Sequence, residues 1–439
     1  MTTKRKGNSE EKINHNENGN INGIKLPCKI FKPRESLLTE LFKDKNMKTV
    51  YDAWPGIFFS TILYSILKNY QQDGRLYFDT TNYRMAFSQF DVALMIWLCM
   101  FVSNLSVYFV FVLWAHMRKT ISHKFYWDRT FVLMCFLYVF GLSYYPARLT
   151  VSNELGVASS LAIMMEMTRF QMKFYAFVRS NCPKFLEAKK AEPPTLSHYL
   201  YFSFAPTLVY KDVYPRSNGI RWYFVATCFV EVVQIILVFN VMYENTYMHD
   251  LKEYGIKKYT SMDIIVIIVR HSFVALSVYT MFQFACHNYM NGAAELLRFS
   301  DRQFYKDWWT AKGVDEFLRK WNTFIYDWLF VYVYKDCYER LPLGRKDRSR
   351  LAVLLLSAFF HDMIMCVTCR HYLPVMTFTY VLLILFRTLL NSNKLILFFI
   401  GIYVSGMFTL YTAECYARIN CPLESETNWD IIKPRLFYC

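Results

Sequence analysis

The chain has 439 residues, 54% of them hydrophobic, and a formal net charge of +15. The apolar residues come in long blocks such as DVALMIWLCMFVSNLSVYFVFVLWAHM (91–117), longer than the ~20 residues that span a hydrocarbon core. This pattern excludes an ordinary soluble protein. It predicts an all-α polytopic membrane protein, because lipid offers the backbone no hydrogen-bond partner outside a helix.

The first 35 residues are polar, rich in Asn, Lys and Glu, and contain no hydrophobic segment of the kind found in signal peptides. We expect residues 1–35 to be a disordered, cytosolic N-terminus. The segment 36–53 places Leu37, Leu38, Leu41 and Phe42 on one helical face. This spacing predicts an amphipathic helix lying along the membrane surface.

About nine transmembrane helices follow, and together they make residues 54–413 a single membrane domain. The predicted spans are 54–68, 91–116, 130–146, 154–169, 220–243, 262–287, 351–369, 373–390 and 394–413. The loop 117–129 carries Arg118, Lys119, Lys124 and Arg129, so the positive-inside rule places it in the cytosol. An odd number of spans then predicts a cytosolic N-terminus and a lumenal C-terminal tail, residues 414–439.

The positive charge has two interpretations. Nucleic-acid binding is one, but no basic face on a soluble domain accompanies it, so we expect no nucleic-acid partner. Cytosolic loops that face anionic lipid, or a phosphate-bearing substrate, explain the charge better.

The cysteines are scattered, and the CxxC of Cys366 and Cys369 lies inside a predicted span with no second ligand pair, so no metal site is expected. Cys421 and Cys439 lie in the tail, where a disulfide is possible if the tail is lumenal.

His361 is the leading candidate for chemistry, because it lies in the otherwise apolar run LAVLLLSAFFHD. A neutral imidazole can accept a hydroxyl proton near neutral pH. Its neighbours Ser357 and Asp362 could orient it. The structural alternative is a helix histidine that a carbonyl satisfies across the bundle. Ionisable groups at membrane depth are costly unless they are paired or functional, which favours the catalytic interpretation.

Asn322 lies upstream of this run, on a different predicted helix. Its amide could donate a hydrogen bond to a carbonyl oxygen that gains charge, although a packing or capping role is also open. Tyr305, Trp308 and Trp309 form an aromatic patch around Asp307. The patch could anchor the chain at the interface or form the wall of a ligand site.

Further polar residues could line the same site. A basic run precedes span seven and comprises Arg340, Arg345, Lys346, Arg348 and Arg350. It could simply flank the membrane, or it could hold the phosphates of a nucleotide-bearing donor. His287, at the cytosolic end of span six, could line the cavity of His361. No dinucleotide, P-loop, metalloprotease or nucleophile-elbow motif occurs, so a base and an amide donor fit direct acyl transfer to an alcohol from an activated donor.

Several motifs carry a family resemblance. FYKDWWT (304–310) resembles the FYxDWWN motif of the sterol O-acyltransferase branch of the membrane-bound O-acyltransferase superfamily. WNTFIYDWLFVYVYKD (321–336) resembles its WNxxxHDWLxxYxYKD, and SAFFHD (357–362) resembles its SAxxHE. YLYFSFAPTLVYKDVYPR, AELLRFSDR, FKPRESLLTELF and YARINCPL also match, so the resemblance extends from about residue 31 to the end. Diacylglycerol acyltransferases share the histidine, but YKDVYPR and YVYKD are closer to the sterol branch.

The resemblance implies specific roles. His361 would be the catalytic base and Asn322 its partner in an internal reaction chamber, while Trp321, Tyr334, Lys346 and Ser357 would contact acyl-CoA. Cys421 and Cys439 would form a lumenal disulfide. It further implies nine transmembrane helices, residence in the endoplasmic reticulum, and homodimers that can pair into tetramers.

Three positions depart from the family motifs: Thr310 replaces Asn, Tyr326 replaces His, and Asp362 replaces Glu. We predict transfer of a long-chain acyl group from acyl-CoA to the 3-hydroxyl of a sterol, without a cofactor, since acyl-CoA is a substrate. The substitution at Tyr326 keeps two alternatives open. The acceptor could be another lipid alcohol, such as diacylglycerol, a fatty alcohol or retinol. The chain could also be a lipid-binding or lipid-scrambling protein that has lost catalysis.

Overall fold

The computed structural model describes residues 26–187, 192–340, 345–385, 389–390, 392–422 and 433–439. Within these ranges the protein is helical and contains no β-sheet, only three isolated bridges. The α-helices are α1 Leu37–Leu41, α2 Lys45–Asp52, α3 Trp54–Asp73, α4 Thr81–Ala86, α5 Phe90–Met117, α6 Lys124–Ser152, α7 Val157–Glu187, α8 Leu196–Phe204, α9 Trp222–Tyr243, α10 His249–Leu251, α11 Ser261–Leu296, α12 Val314–Trp321, α13 Thr323–Leu329, α14 Lys335–Arg340, α15 Arg345–Cys369, α16 Val375–Leu385 and α17 Asn393–Asn420. Two π-helical turns, Glu244–Met248 and Phe330–Tyr334, interrupt them.

Six helical stretches within the described residues are long and apolar enough to cross a membrane: Thr81–Met117, Lys124–Ser152, Trp222–Leu251, Ser261–Leu296, Lys346–Cys369 and Asn393–Asn420. The other three predicted spans correspond to α3, α7 and α16, which are not among the six. α7 buries polar side chains such as Gln171 and Lys173, and α16 has only 11 residues. The multi-pass helical fold is therefore confirmed, whereas the count of nine is not.

The helices pack in two groups. α7 contacts α5, α6 and α15, and α11 contacts α9 and α17. The largest buried cluster is strongly aromatic and joins α5 and α7 to the segment that follows α11, with Phe111, Phe177, Tyr199 and Trp308 among its members. The polar segment that follows α11, residues 297–340, carries most of the candidate residues, and we call it the site segment. These contacts fix it against the membrane bundle.

The N-terminal region departs from the sequence-based expectation. Residues 26–35, which belong to the N-terminus predicted to be disordered, form an extended segment that pairs with the chain around Asp301. The single helix expected over 36–53 is two helices, α1 and α2. The break lies at Asp44, whose carboxylate accepts a hydrogen bond from the backbone N–H of Asn46 (2.9 Å) and caps α2. Residues 1–25 lie outside the described residues.

Two predicted helix ends were also wrong. α6 continues through Pro146 to Ser152, although the sequence suggested an end at the Tyr-Pro pair. A proline removes one backbone hydrogen bond and crowds the carbonyl four residues earlier, but helices in a membrane bundle tolerate it where neighbouring groups compensate. α17 extends to Asn420, so the predicted tail 414–439 begins as helix. Beyond it the structure joins Cys421 to Cys439 in a disulfide, and buried Glu414 accepts hydrogen bonds from the backbone N–H groups of Arg435 and Leu436.

Candidate active site

His361 lies on α15 with its ring exposed. Its Nδ1 lies 2.7 Å from the backbone carbonyl of Ser357, one helical turn earlier. A carbonyl oxygen can only accept, so Nδ1 carries the proton of the neutral ring and donates it. The lone pair is then on Nε2, which has no hydrogen-bond partner among the described residues. The local helix therefore fixes the tautomer that a general base requires.

His361 does not lie on the outward face of α15. Leu355 and Phe359 mark that face, with 58% and 61% of their surface exposed. Phe359 and His361 are two residues apart and so point about 200° apart around an α-helix. His361 shares its side of the helix with Ser357, whose hydroxyl lies 3.0 Å from that of Tyr380 on α16. The imidazole is thus accessible on the side of α15 that faces other helices.

Asp362 does not orient His361. Its buried carboxylate accepts hydrogen bonds from the backbone N–H groups of Met376 and Thr377, each at 3.0 Å, at the first turn of α16. The hydroxyl of Thr377 donates a third, at 2.5 Å. Asp362 therefore caps α16 and fixes it to α15. The expectation that Asp362 could orient His361 is therefore replaced by a packing role between α15 and α16.

Asn322 is the residue that caps α13. Its Oδ1 accepts a hydrogen bond from the backbone N–H of Ile325 at 3.1 Å. Its side-chain NH₂ has no partner among the described residues and remains available to donate. No hydrogen bond joins Asn322 to His361 there either, but the π-helical turn Phe330–Tyr334 that follows α13 packs directly on α15. The capping role and the donor role considered from sequence are compatible, because they use different atoms.

The aromatic patch is packed rather than open. Trp308 is buried and makes edge contacts with Tyr279 of α11 and with Trp321, while Trp321 stacks on Tyr279 at 4.5 Å between ring centroids. Trp309 makes an edge contact with Trp308 at 5.7 Å. Trp321 and Trp309 are half-buried, so part of each ring remains accessible. The patch anchors the segment between α11 and α12 to the bundle.

Asp307 takes part in this anchor. Its carboxylate lies 3.2 Å from Nζ of Lys320 and accepts a hydrogen bond from the hydroxyl of Thr310 at 2.7 Å. Partial burial raises the pKa of Asp307, but the hydrogen bonds from Thr310 and Lys320 outweigh it, and the net pKa is below the usual range. Asp307 is thus an ionised carboxylate with a partner, which explains its presence among indoles.

His287 is buried, with 5% of its surface exposed. Its Nδ1 contacts the hydroxyl of Tyr305 at 2.6 Å and Nδ2 of Asn291 at 3.2 Å, with the hydroxyl of Ser36 at 3.5 Å. The amide of Asn291 also donates to the backbone carbonyl of His287 (2.8 Å), so its nitrogen faces the ring. Nδ1 is therefore an acceptor. His287 and Tyr305 connect α11 to the site segment rather than present a base.

Tyr334 belongs to a feature that was not recognised from sequence. Four rings four residues apart, Tyr326, Phe330, Tyr334 and Tyr338, stack in succession with centroid separations of 6.0, 5.6 and 5.9 Å. We call them the aromatic ladder. Asn322 precedes Tyr326 by the same spacing of four. The i, i+4 pattern was visible in the sequence but was obscured by the other aromatic residues between the rungs.

The basic run follows the last ladder residue, Tyr338, along the chain. Lys346 is exposed, whereas Arg350 forms ion pairs with Asp315 (3.6 Å) and Asp347 (3.8 Å). The side chains of Arg340 and Arg345 lie outside the described residues. No group of three or more metal-binding side chains occurs in the part of the chain that the structure describes. The absence of a cofactor stays a prediction.

Comparison with known proteins identifies the family. Residues 120–410 match the family model described as MBOAT, membrane-bound O-acyltransferase family. The chain is 32% identical over 431 residues to Sterol O-acyltransferase 1 of Mus musculus, covering 94% of this chain and 79% of that protein. It is 30% identical over 430 residues to Sterol O-acyltransferase 2 of Homo sapiens, covering 94% and 80%. These matches cover most of the chain, and the chain belongs to the membrane-bound O-acyltransferase family.

Proposed function

We propose that this protein transfers a long-chain acyl group from acyl-CoA to the 3-hydroxyl of a sterol and so forms a sterol ester. Its relatives named sterol O-acyltransferases match 94% of the chain. The observation that carries the proposal is the hydrogen bond from Nδ1 of His361 to the carbonyl of Ser357, which leaves the lone pair of Nε2 for a substrate proton.

The reaction needs one base and one hydrogen-bond donor. Nε2 of His361 accepts the hydroxyl proton while the hydroxyl oxygen attacks the thioester carbonyl carbon. The amide of Asn322 donates to the carbonyl oxygen as it gains negative charge. The C–S bond then breaks, and His361 returns the proton to the departing CoA thiolate. A new C–O bond replaces the C–S bond, so no net proton is released.

The donor and acceptor would approach from different sides. Acyl-CoA would arrive from the cytosol with its phosphates near Lys346, and Tyr334 would contact the CoA portion. Trp321 and Ser357 would line the path of the thioester towards an internal reaction chamber. The sterol would reach that chamber laterally from the bilayer, because its ring system is soluble only there.

The protein would reside in the endoplasmic reticulum membrane, with a cytosolic N-terminus and a lumenal C-terminus. The basic loop 117–129 and the Cys421–Cys439 disulfide support this orientation independently, since disulfides persist in oxidising compartments. By its family we expect homodimers, which could pair into tetramers.

The test is ester formation by purified protein in detergent with oleoyl-CoA and a panel of acceptors: a sterol, diacylglycerol, a long-chain fatty alcohol and retinol. We expect CoA release to depend on the sterol and sterol ester to accumulate. Preference for another alcohol would support acyl transfer from acyl-CoA but contradict a sterol as the acceptor. Binding of oleoyl-CoA without CoA release for any acceptor would contradict acyl transfer.

A further inference from the structure

An ordered N-terminal segment lies across the site segment, and we call residues 26–36 the strap. Its inner half is firmly held. Backbone hydrogen bonds join Arg34 to Ser300 (2.9 Å) and Arg302 to Arg34 (3.0 Å), and the guanidinium of Arg34 pairs with Asp301, whose side chain is 2% exposed. The ring of Phe31 packs on Tyr214 and Phe299. The inner half of the strap is therefore packed into the protein core.

The outer half of the strap, residues 26–30, has no such core contact. Ile30 is 70% exposed and Cys28 is exposed. Polar contacts hold this half: Lys29 to Asp327 at 2.5 Å, Lys335 to the carbonyl of Leu26 at 2.8 Å, and the N–H of Leu26 to Glu339 at 3.0 Å. Partly exposed ion pairs contribute little to stability, so this half can open locally while the inner half stays in place.

All of these contacts involve one face of the helices that carry the aromatic ladder. Asp327, Lys335 and Glu339 each immediately follow a ladder residue: Tyr326, Tyr334 and Tyr338. Consecutive residues on a helix point about 100° apart, so the outer strap borders the ladder along its length. Two cations lie at this contact, Lys29 of the strap and Lys335 of α14. Each already pairs with a carboxylate: Lys29 with Asp327 at 2.5 Å and Lys335 with Glu339 at 3.9 Å.

We propose that residues 26–30 form a latch on the cytosolic side of the aromatic ladder and that the phosphates of acyl-CoA displace it. This inference rests on the proposed function, because it takes acyl-CoA as the donor. The donor carries several phosphate charges, which bind ammonium groups more strongly than a single carboxylate does. Lys29 and Lys335 exchange their carboxylate partners for phosphate, the outer strap lifts about the fixed inner half, and the ladder becomes accessible.

A reversible crosslink tests the latch. Nζ of Lys335 lies 3.3 Å from Sγ of Cys28, so Lys335→Cys places a second thiol within reach of the native one. A short bis-methanethiosulfonate reagent bridges the two thiols and a reductant removes the bridge. With the bridge in place, we expect a non-hydrolysable acyl-CoA analogue to bind at least about 10-fold more weakly, with affinity restored on reduction.

The matched control is the double variant Cys28→Ser, Lys335→Cys, treated with the same reagent and reductant, because it keeps every other cysteine and cannot be bridged. The latch is wrong if peptide mapping shows the bridge and the analogue binds with unchanged affinity. It is also wrong if no bridge forms, since the contact then does not exist. Binding of the analogue is read without turnover, so failure of the latch and failure of acyl transfer are separate results.

A charge variant tests the same idea without a crosslink. Asp327→Asn removes the ion pair to Lys29 and favours the open latch, so the analogue should bind up to about fivefold more tightly, the factor equivalent to ~1 kcal/mol. Asp212→Asn is the control, because it removes another partly exposed ion pair, to Lys184 at 2.9 Å. Weaker or unchanged binding by Asp327→Asn would contradict a latch that opposes the donor.

Discussion

Two histidines in apolar helices, His287 and His361, differ in what their nitrogens do. In His287, Nδ1 accepts from Asn291 and Tyr305, so the proton of the neutral ring is on Nε2 and no lone pair is free. In His361, Nδ1 donates to the Ser357 carbonyl, and no described residue hydrogen-bonds to the lone pair of Nε2. One ring is buried and the other is exposed. The same side chain is therefore a packing element in one region and a potential base in the other.

This comparison shows that membrane depth alone does not identify a catalytic histidine. From sequence, His361 lies inside an apolar run and His287 at the cytosolic end of span six, and both were candidates for the same cavity. The hydrogen bonds of each ring separate them, because a base needs an unoccupied lone pair as well as a suitable charge. Replacing each residue in turn should therefore affect different properties.

The largest effect is expected for His361→Ala. Loss of the base should lower kcat by about 10²–10⁴-fold, while the thermal unfolding midpoint stays close to that of the native protein, because the exposed ring makes a single local hydrogen bond. Ester formation and thermal unfolding in the same detergent measure both. Native turnover in a well-folded variant would remove His361 from the mechanism.

The next largest effect is expected at Asn322, where two atoms have separate roles. Asn322→Asp retains the oxygen that caps α13 but replaces the NH₂ donor with negative charge, so kcat should fall by about 10²–10³-fold with little loss of stability. Asn322→Ala should also lose the cap, at ~1 kcal/mol of unfolding free energy. If the Asp variant turns over normally, Asn322 only caps the helix.

His287→Ala should act on stability instead. It leaves the hydroxyl of Tyr305 and the amide of Asn291 without their buried partner, which should cost ~1–3 kcal/mol of unfolding free energy. The double variant with Tyr305→Phe should be less destabilised than the sum of the single variants. Unchanged stability together with lost turnover would place His287 in the chemistry and end its contrast with His361.

The smallest effect is a pH dependence at Asp307. Its pKa is below the usual value of about 3.9, so its stabilising contribution is complete above that value and is lost as the pH falls through the folded-state pKa. Its side chain is 48% exposed, so the loss should stay well below 1 kcal/mol. Unfolding of the native protein and Asp307→Asn should converge below about pH 4; a constant difference would contradict the assignment.

The helical membrane fold and the identity of the candidate residues could be predicted from sequence, because both depend on local composition and on short motifs. The residues that contact those candidates in the folded protein could not be predicted from sequence. Asp362 was expected to assist His361, the residue before it, yet it caps α16, which lies beside it only in the folded bundle. Trp308 and Tyr305 were candidates for the wall of a ligand site. In the structure Trp308 packs against Tyr279 and Tyr305 contacts His287, so both side chains are part of the core.

The sequence by itself determined that the chain is a multi-pass helical membrane protein, and it made a histidine and an asparagine candidates for acyl transfer, because hydrophobic length and motif chemistry are properties of contiguous residues. Only the tertiary structure decided that Tyr305 occupies Nδ1 of His287, and that residues 26–36 lie along the site segment. Those facts depend on contacts between residues up to 313 positions apart, such as Leu26 with Glu339. The sequence positions of two such residues do not indicate that they will be in contact, because the contact forms only when the helices pack.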